Sequence, residues 1–286
     1  AFVQPIAPKL PSRRQYFERG KVGFEASGVA PQEPGERVLQ TYCRNADIDL
    51  LFVRADDVPE YVQDGVVDCG ITGRDLVAEG NYDVEVLLNL GFGYCSLQVA
   101  VPTESTFTSL KDLNGLRIAT SHSTIAQRAL DAAGITAELI SVGGSVEIAP
   151  RLGLAEGIID LVSTGSTLRT NGLRSIETIF ESEAVVIGRR GAVASQNRNT
   201  LVTMLQSVLE ARKSRYLLFN VPTKHLAEVV AELPTAGSPS VLTLADPEVV
   251  SVHALVPASD IWALMPKLEA KGASSILTLP IERMVR

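Results

Sequence analysis

Cysteine is scarce in this chain: three in 286 residues, Cys43, Cys69 and Cys95, widely spaced and with no CxxC pair. That excludes a disulfide scaffold and a zinc ribbon, and makes reduced thiols in a cytoplasmic protein the expectation. No run of 18 apolar residues occurs, so no membrane-spanning helix is expected. The opening AFVQPIAPKL lacks a basic segment followed by an apolar one and is not read as a signal peptide. Positive charge is not in excess. With 26 Lys+Arg against 33 Asp+Glu the formal charge is −7, which excludes a general nucleic-acid surface and leaves room for a local basic pocket around a phosphorylated small molecule. A 45% hydrophobic fraction with 22 Gly and 15 Pro is that of an ordinary globular protein, long enough for two or three domains.

What is present is a steady alternation of short apolar runs and helical patterns, the sequence form of an α/β protein. Strands are expected at residues 48–53 (IDLLFV), 68–71, 86–90 and 96–101, the last closed by Pro102. A helix at 57–65 carries Pro59 in its first turn and Gly65 just past its end. A second block has strands at 117–120 (RIAT), 137–141 and 158–162 (IIDLV), with helices at 125–133, stopped by Gly134, and at 145–152. Residues 176–187 are read as crossing back to the first block, followed by an amphipathic helix at 200–212. The first lobe is therefore assigned residues 1–102 and 181–213, and the second 103–180, with a cleft between them. The remainder, 214–286, reads strand, helix, strand, strand, helix, strand, the ferredoxin-like βαββαβ order of an ACT-like regulatory module.

The most informative stretch is residues 147–173, EIAPRLGLAEGIIDLVSTGSTLRTNGL. A buried strand delivers Ser163, Thr164, Gly165, Ser166 and Thr167, followed by Leu168 and a helical turn. Amides that open a helix have no intrahelical acceptor, a glycine admits close backbone approach, and hydroxyls add donors, so a phosphate fits this loop. Glu156 and Asp160 before it offer carboxylates to a sugar diol or to Mg²⁺. A plain polar turn with an ordinary cap is the competing reading.

This segment resembles the signature of the ATP phosphoribosyltransferase family, the first enzymes of histidine biosynthesis. The pattern reads Glu147, Gly153, Ala155, Ile158, Asp160, Leu161, Thr164, Gly165, Thr167, Leu168. The likeness continues in VRADDVPEYVQDGVVDCGITGRDL (53–76), LKDLNGLRIATS (110–121) and ASSILTLPIERM (273–284), the last indicating the long form with a regulatory domain. It implies two periplasmic-binding-protein-like lobes and Mg²⁺-dependent transfer of phosphoribosyl from phosphoribosyl pyrophosphate (PRPP) to N1 of ATP. By matched motif, Arg54, Glu147 and Asp160 are catalytic. Ser163, Thr164, Gly165, Ser166, Thr167 and Leu168, with Glu156 and Asp160, bind PRPP, and those two carboxylates hold the metal. Arg13, Arg54, Gly70, Thr72, Gly73 and Asp75 line the nucleotide side. Asn220, Ser238, Ser240 and Ser275 would line a site for L-histidine as a feedback regulator, in a homo-oligomer, dimeric or hexameric; as plain sequence they also suit turns between strands.

The chain departs from the family's pattern near the substrates. Where the family has P-[SN]-K-G-R-[LM], this chain has Pro11-Ser12-Arg13-Arg14-Gln15. After RIATS the family continues Y-P-x-L, and here His122-Ser123-Thr124-Ile125 follows, with His122 read as a solvent-facing loop residue or a substrate contact. Glu156 stands where Asp is usual, Asn220 where Asp is usual and Ser240 where Thr is. The alternatives are a PRPP-dependent transferase with another acceptor, a weakened paralogue, and a non-enzymatic small-molecule-binding or regulatory protein.

Overall fold

The computed structural model describes residues 2–5, 28, 39–193, 195–234 and 238–285. The chain divides into two compact units, one built mainly from residues 47–198 and one mainly from 199–286.

Among the described residues the first unit contains two sheets. One comprises β1 (Phe2–Pro5), β2 (Gln40–Tyr42), β3 (Asp49–Val53), β4 (Cys69–Gly73), β5 (Val84–Asn89) and β11 (Ala184–Arg189), in the order β2-β3-β1-β4-β11-β5. Its centre is parallel: β1 runs beside β3, with Pro5 level with Val53, and beside β4. Two short helices, α1 (Val58–Gln63) and α2 (Arg74–Gly80), follow β3 and β4. Val58 and Val62 of α1 pack with Val67, Val84, Val185 and Ile187. Pro59 sits in the first turn, and Gly65 (φ +71°) takes the left-handed turn after the helix.

The other sheet holds β6 (Cys95–Pro102), β7 (Arg117–Thr120), β8 (Glu138–Ser141), β9 (Gly157–Val162) and β10 (Leu173–Ser182), in the order β10-β6-β9-β7-β8. Helix α3 (Ser123–Ala133) joins β7 to β8 and ends on Gly134 in the left-handed region. The short α4 (Ser166–Thr170) follows β9.

The structure departs from the sequence expectation at two points and details a third. The sequence pattern places residues 95–102 in the first lobe, but β6 pairs antiparallel with β9 and β10, so the crossing between lobes lies before it. The crossing expected within 176–187 runs through two strands in different sheets, β10 and β11, with Glu183 between them. The helix expected at 145–152 is only a 3₁₀ turn, Val146–Ile148, because Pro150 has no N–H to continue it. The two crossings run together: Leu90 N–H donates to Ala184 O (3.0 Å) and Ala184 N–H to Phe92 O (2.9 Å).

The second unit carries most of α5 (Gln196–Arg212) and a four-stranded antiparallel sheet. Its elements run β12 (Ser214–Pro222), α6 (Leu226–Val230), β13 (Ser240–Thr243), β14 (Val249–Pro257), α7 (Ile261–Ala270) and β15 (Ser274–Pro280), in the sheet order β13-β14-β12-β15. This is the expected ferredoxin-like arrangement. Leu217, Phe219 and Val221 alternate with Val250, Val252, Ala254 and Val256 to form one buried face, covered by Val229, Leu264 and Leu268 from the helices.

Candidate active site

β7 and β9 are parallel neighbours, with Thr120 opposite Ile159. From β7 the chain passes through α3 to β8 on one flank, then returns to β9 on the other. Adjacent parallel strands whose connections leave in opposite directions open a crevice at their carboxyl ends, where ligands of such sheets bind. Ser121 and His122 border that crevice after β7, and residues 163–167 border it after β9.

In the second loop Ser163, Thr164, Ser166 and Thr167 are exposed, while Leu168 is buried and anchors the turn to the core. Thr164 Oγ1 and Ser166 Oγ lie 3.0 Å apart. Gly165 has φ +69°, and a Cβ there would stand 3.2 Å from Arg169 Nη1. Arg169 thus folds its guanidinium back over the loop, a cation beside the hydroxyls that the motif alone did not single out.

Two carboxylates stand nearby. Ile158, Asp160 and Val162 alternate with Ile159 and Leu161, placing Asp160 on the sheet face that packs against Val146, Ala149 and Leu168. Burial pushes its carboxyl above the usual range; the Leu161 N–H that it accepts (2.9 Å) opposes this, and the charge of Glu147 adds to it. The structure therefore brings Glu147 and Asp160 into electrostatic reach of each other.

Glu156 does not join them. It precedes the first residue of β9, whereas the loop follows the last, and four residues of strand put it about 13 Å from Asp160. Its carboxylate is engaged by Arg117: Oε1 accepts from Nη2 at 2.6 Å and Oε2 from the backbone N–H at 2.9 Å. These bonds hold its pKa below the usual range. The assignment of Glu156 to PRPP and metal is corrected on this geometry: it is a structural ion-pair partner at the opposite end of the strand. Among the described residues no group of three or more His, Cys, Asp or Glu side chains gathers as a metal cage. Asp160 and Glu147 offer carboxylate oxygens, the donor type that a hard divalent cation takes.

On the first lobe, β1, β3 and β4 end at one edge of their sheet. Arg54 leaves β3 there, exposed. Arg13, expected to bind the nucleotide, lies outside the described residues. Of the remaining expected nucleotide residues, Gly70 is a buried position paired with Val3 and Ile187, and Thr72 is buried with its hydroxyl donating to Ala55 O (2.6 Å). Both are committed to the sheet. Gly73 is held to glycine by sterics, since a Cβ there would lie 2.4 Å from Asp75 Oδ1.

Asp75 faces the other lobe. Its Oδ1 accepts from Ser182 Oγ (2.5 Å), its own N–H donates to that oxygen (3.0 Å), and its Oδ2 stands 3.5 Å from His122 Nε2. Burial alone would raise its pKa, but these groups outweigh it and hold the carboxyl below the usual range. His122 is therefore not a solvent-facing loop residue: it is 7% exposed, with Nδ1 2.9 Å from Ser121 Oγ. Sequence reasoning missed this pairing and Ser182. The available signal was a histidine at the end of a buried strand, directly before a helix.

In the second unit the expected regulatory residues separate into two pairs. Asn220 on β12 is level with Ser274, and the irregular pairing of β15 there includes Ser275 with φ +49°. Ser240, with Ser238 before it, lies on the edge strand β13 opposite His253, two strands from β12.

A family model described as ATP phosphoribosyltransferase matches residues 54–210, and one described as HisG, C-terminal domain, matches residues 211–283. The chain is similar to the ATP phosphoribosyltransferase of Methanosarcina acetivorans, 38% identical over 283 residues, covering 96% of this chain and 98% of the relative. It is likewise similar to that of Gemmatimonas aurantiaca, 41% identical over 287 residues with the same two coverages. Among solved structures it resembles the ATP phosphoribosyl transferase (HisG:HisZ) complex from Thermotoga maritima, 25% identical, with TM-score 0.59, covering 73% of this chain and 98% of that chain. The chain belongs to the ATP phosphoribosyltransferase family, in the long form that carries the C-terminal domain.

Proposed function

We propose that this chain transfers the phosphoribosyl group of PRPP to N1 of ATP, releasing pyrophosphate, as the first step of histidine biosynthesis. The observation that carries this is the meeting, at one switch point, of an exposed hydroxyl-and-glycine loop with Asp160 and Glu147. The bond from the ribose C1 to pyrophosphate breaks as adenine N1 bonds to C1, through an oxocarbenium-like transition state. The protein supplies no covalent nucleophile; it aligns two polyanions and stabilises charge.

In this reading Ser163, Thr164, Gly165, Ser166 and Thr167 hold the 5′-phosphate, and Arg169 adds a cation beside it. Asp160 accepts hydrogen bonds from the ribose hydroxyls. Arg54 serves the nucleotide on the opposing lobe, and Arg13 is assigned to the nucleotide by matched motif alone. Mg²⁺, held through Asp160 and Glu147, would offset charge on the departing pyrophosphate.

The same reading takes residues 214–286 as a regulatory module for L-histidine, with Asn220 and Ser275 as the closer pair, and the assembly as a homo-oligomer. Cytoplasmic location agrees with three unbridged cysteines and with the lack, among the described residues, of any helix long and apolar enough to cross a membrane.

The test is turnover with Mg²⁺, PRPP and ATP, followed by the absorbance of the adenine product. Formation of phosphoribosyl-ATP is expected. Measurable PRPP binding with no product would overturn the acceptor assignment in favour of a different acceptor. Heat on titration with L-histidine, with inhibition of turnover, is expected of the regulatory module; neither effect at millimolar ligand would refute that role.

A further inference from the structure

Helix α3 opens on the second lobe without an acidic residue in its first turn and without a side-chain cap from its N-cap, His122. Its leading amides need acceptors. They come from the other lobe: Glu79 of α2 accepts from Thr124 N–H (Oε1, 2.9 Å) and from Ile125 N–H (Oε2, 3.0 Å). One turn later Arg128 donates to Ala78 O (3.1 Å) and Asn81 Oδ1 (3.0 Å). At the head of this seam His122 Nε2 faces Asp75 Oδ2, both side chains 9% exposed, with Ser182 bracing the carboxylate from behind.

The seam is therefore polar, directional and nearly dry at one end. Its driest contact lies beside the crevice. His122 directly follows Ser121 at the carboxyl end of β7, across from residues 163–167. Asp75 lies in the first turn of α2, directly after β4, at the sheet edge that also presents Arg54. At 3.5 Å the contact is long for a hydrogen bond, as positioning contacts often are before substrates bind.

We propose that His122 is a positioning residue for phosphoribosyl transfer: acting through Asp75, it sets the lobe bearing the phosphate loop against the lobe bearing Arg54, and so aligns the reacting carbon with its acceptor. This rests on the reading that one lobe holds PRPP and the other the nucleotide. Binding of PRPP alone uses the second lobe only, so it is independent of the contact. Transfer needs both lobes in line and depends on it.

Two variants separate positioning from mere support. In His122→Gln the side-chain amide nitrogen reaches about as far as imidazole Nε2 and can still donate to Asp75. In His122→Asn it falls short. With full-length protein, kcat, KM for PRPP and ATP, and the PRPP Kd by calorimetry are measured for both. His122→Asn should lose about 10²-fold in kcat, the effect of a misalignment of order 1 Å. Its PRPP Kd should stay within about twofold, and His122→Gln should recover most of the rate. Unchanged kcat in His122→Asn, or equal losses of kcat and PRPP affinity in both variants, overturns the proposal. Should His122→Asn fail to fold, Ser182→Ala removes the brace on Asp75 and should give the same split between kcat and Kd. A wild-type chain that binds PRPP but makes no product with ATP refutes the acceptor assignment instead. The seam is then read by amide exchange: protection at Thr124 and Ile125 falls about tenfold in His122→Asn if the contact holds the lobes, and stays unchanged if it does not.

Discussion

Replacing Glu79 with alanine isolates the energy of a helix capped from another lobe. The carboxylate accepts two N–H groups, at 2.9 and 3.0 Å, which would otherwise have no acceptor in the helix. Losing a side-chain cap costs about 1 kcal/mol. A negative group at the positive end of a helix contributes about 0.3–1 kcal/mol more. With two amides affected, Glu79→Ala should cost about 2 kcal/mol. For a unit of this size that lowers Tm by about 4–8 °C in scanning calorimetry. Glu79→Gln keeps an acceptor oxygen but not the charge, and should cost about half as much. The gap between the two variants should narrow in high salt, which screens the helix-end charge. Glu104→Ala is the control, an exposed residue whose loss should stay within about 0.5 kcal/mol. If Glu79→Ala melts together with Glu104→Ala, the cap carries no stability and the seam between α2 and α3 is incidental.

Other substitutions test the site. Gly165→Ala forces a β-carbon onto a φ of +69° and within 3.2 Å of Arg169 Nη1; it should cost about 1–2 kcal/mol and lower PRPP affinity about tenfold by calorimetry. Asp160 has a folded pKa raised chiefly by burial, so its ionised form opposes folding and stability falls as pH rises from its unfolded toward its folded value. Asp160→Asn should therefore match or exceed the wild-type Tm at neutral pH while abolishing turnover, and a clear fall in Tm would refute this. Glu156→Gln should leave kcat and Mg²⁺ dependence unchanged, because the carboxylate serves Arg117; a 10²-fold loss of kcat would return it to the site. Because the folded pKa of Glu156 is depressed, its stabilisation is present above the ordinary glutamate value of about 4.3 and lost as pH falls through the folded value. With the pair 42% and 34% exposed, that contribution is below about 1 kcal/mol, read as a wild-type minus Glu156→Gln difference that closes in acid.

Most of the framework was legible because buried strands leave apolar runs and helices end on recognisable residues. RIAT forms β7 at the expected bounds, Gly134 stops α3, and the βαββαβ order of the last 70 or so residues stands. The phosphate loop was legible as a motif because its chemistry is contiguous. What escaped was non-local. His122 and Asp75 are far apart in the chain and meet only because two lobes meet, and neither residue type signals the other. Glu156 and Asp160 look adjacent at a spacing of four, which holds on a helix; on an extended strand the same spacing carries them to different ends of the sheet. Likewise residues 95–102 read as a strand but give no hint of which sheet they join, since pairing partners are set by the whole topology.

The doubled crossing between the lobes, where residues 90–92 are laced to Ala184, has a mechanical consequence. A lone connecting strand can swivel about its own axis. Two strands tied side by side form a ribbon, which flexes across its thin dimension far more readily than it twists. The lobes should then open and shut about a single axis, like a book on its spine. Each closure would present an acceptor to the sugar at a repeatable angle.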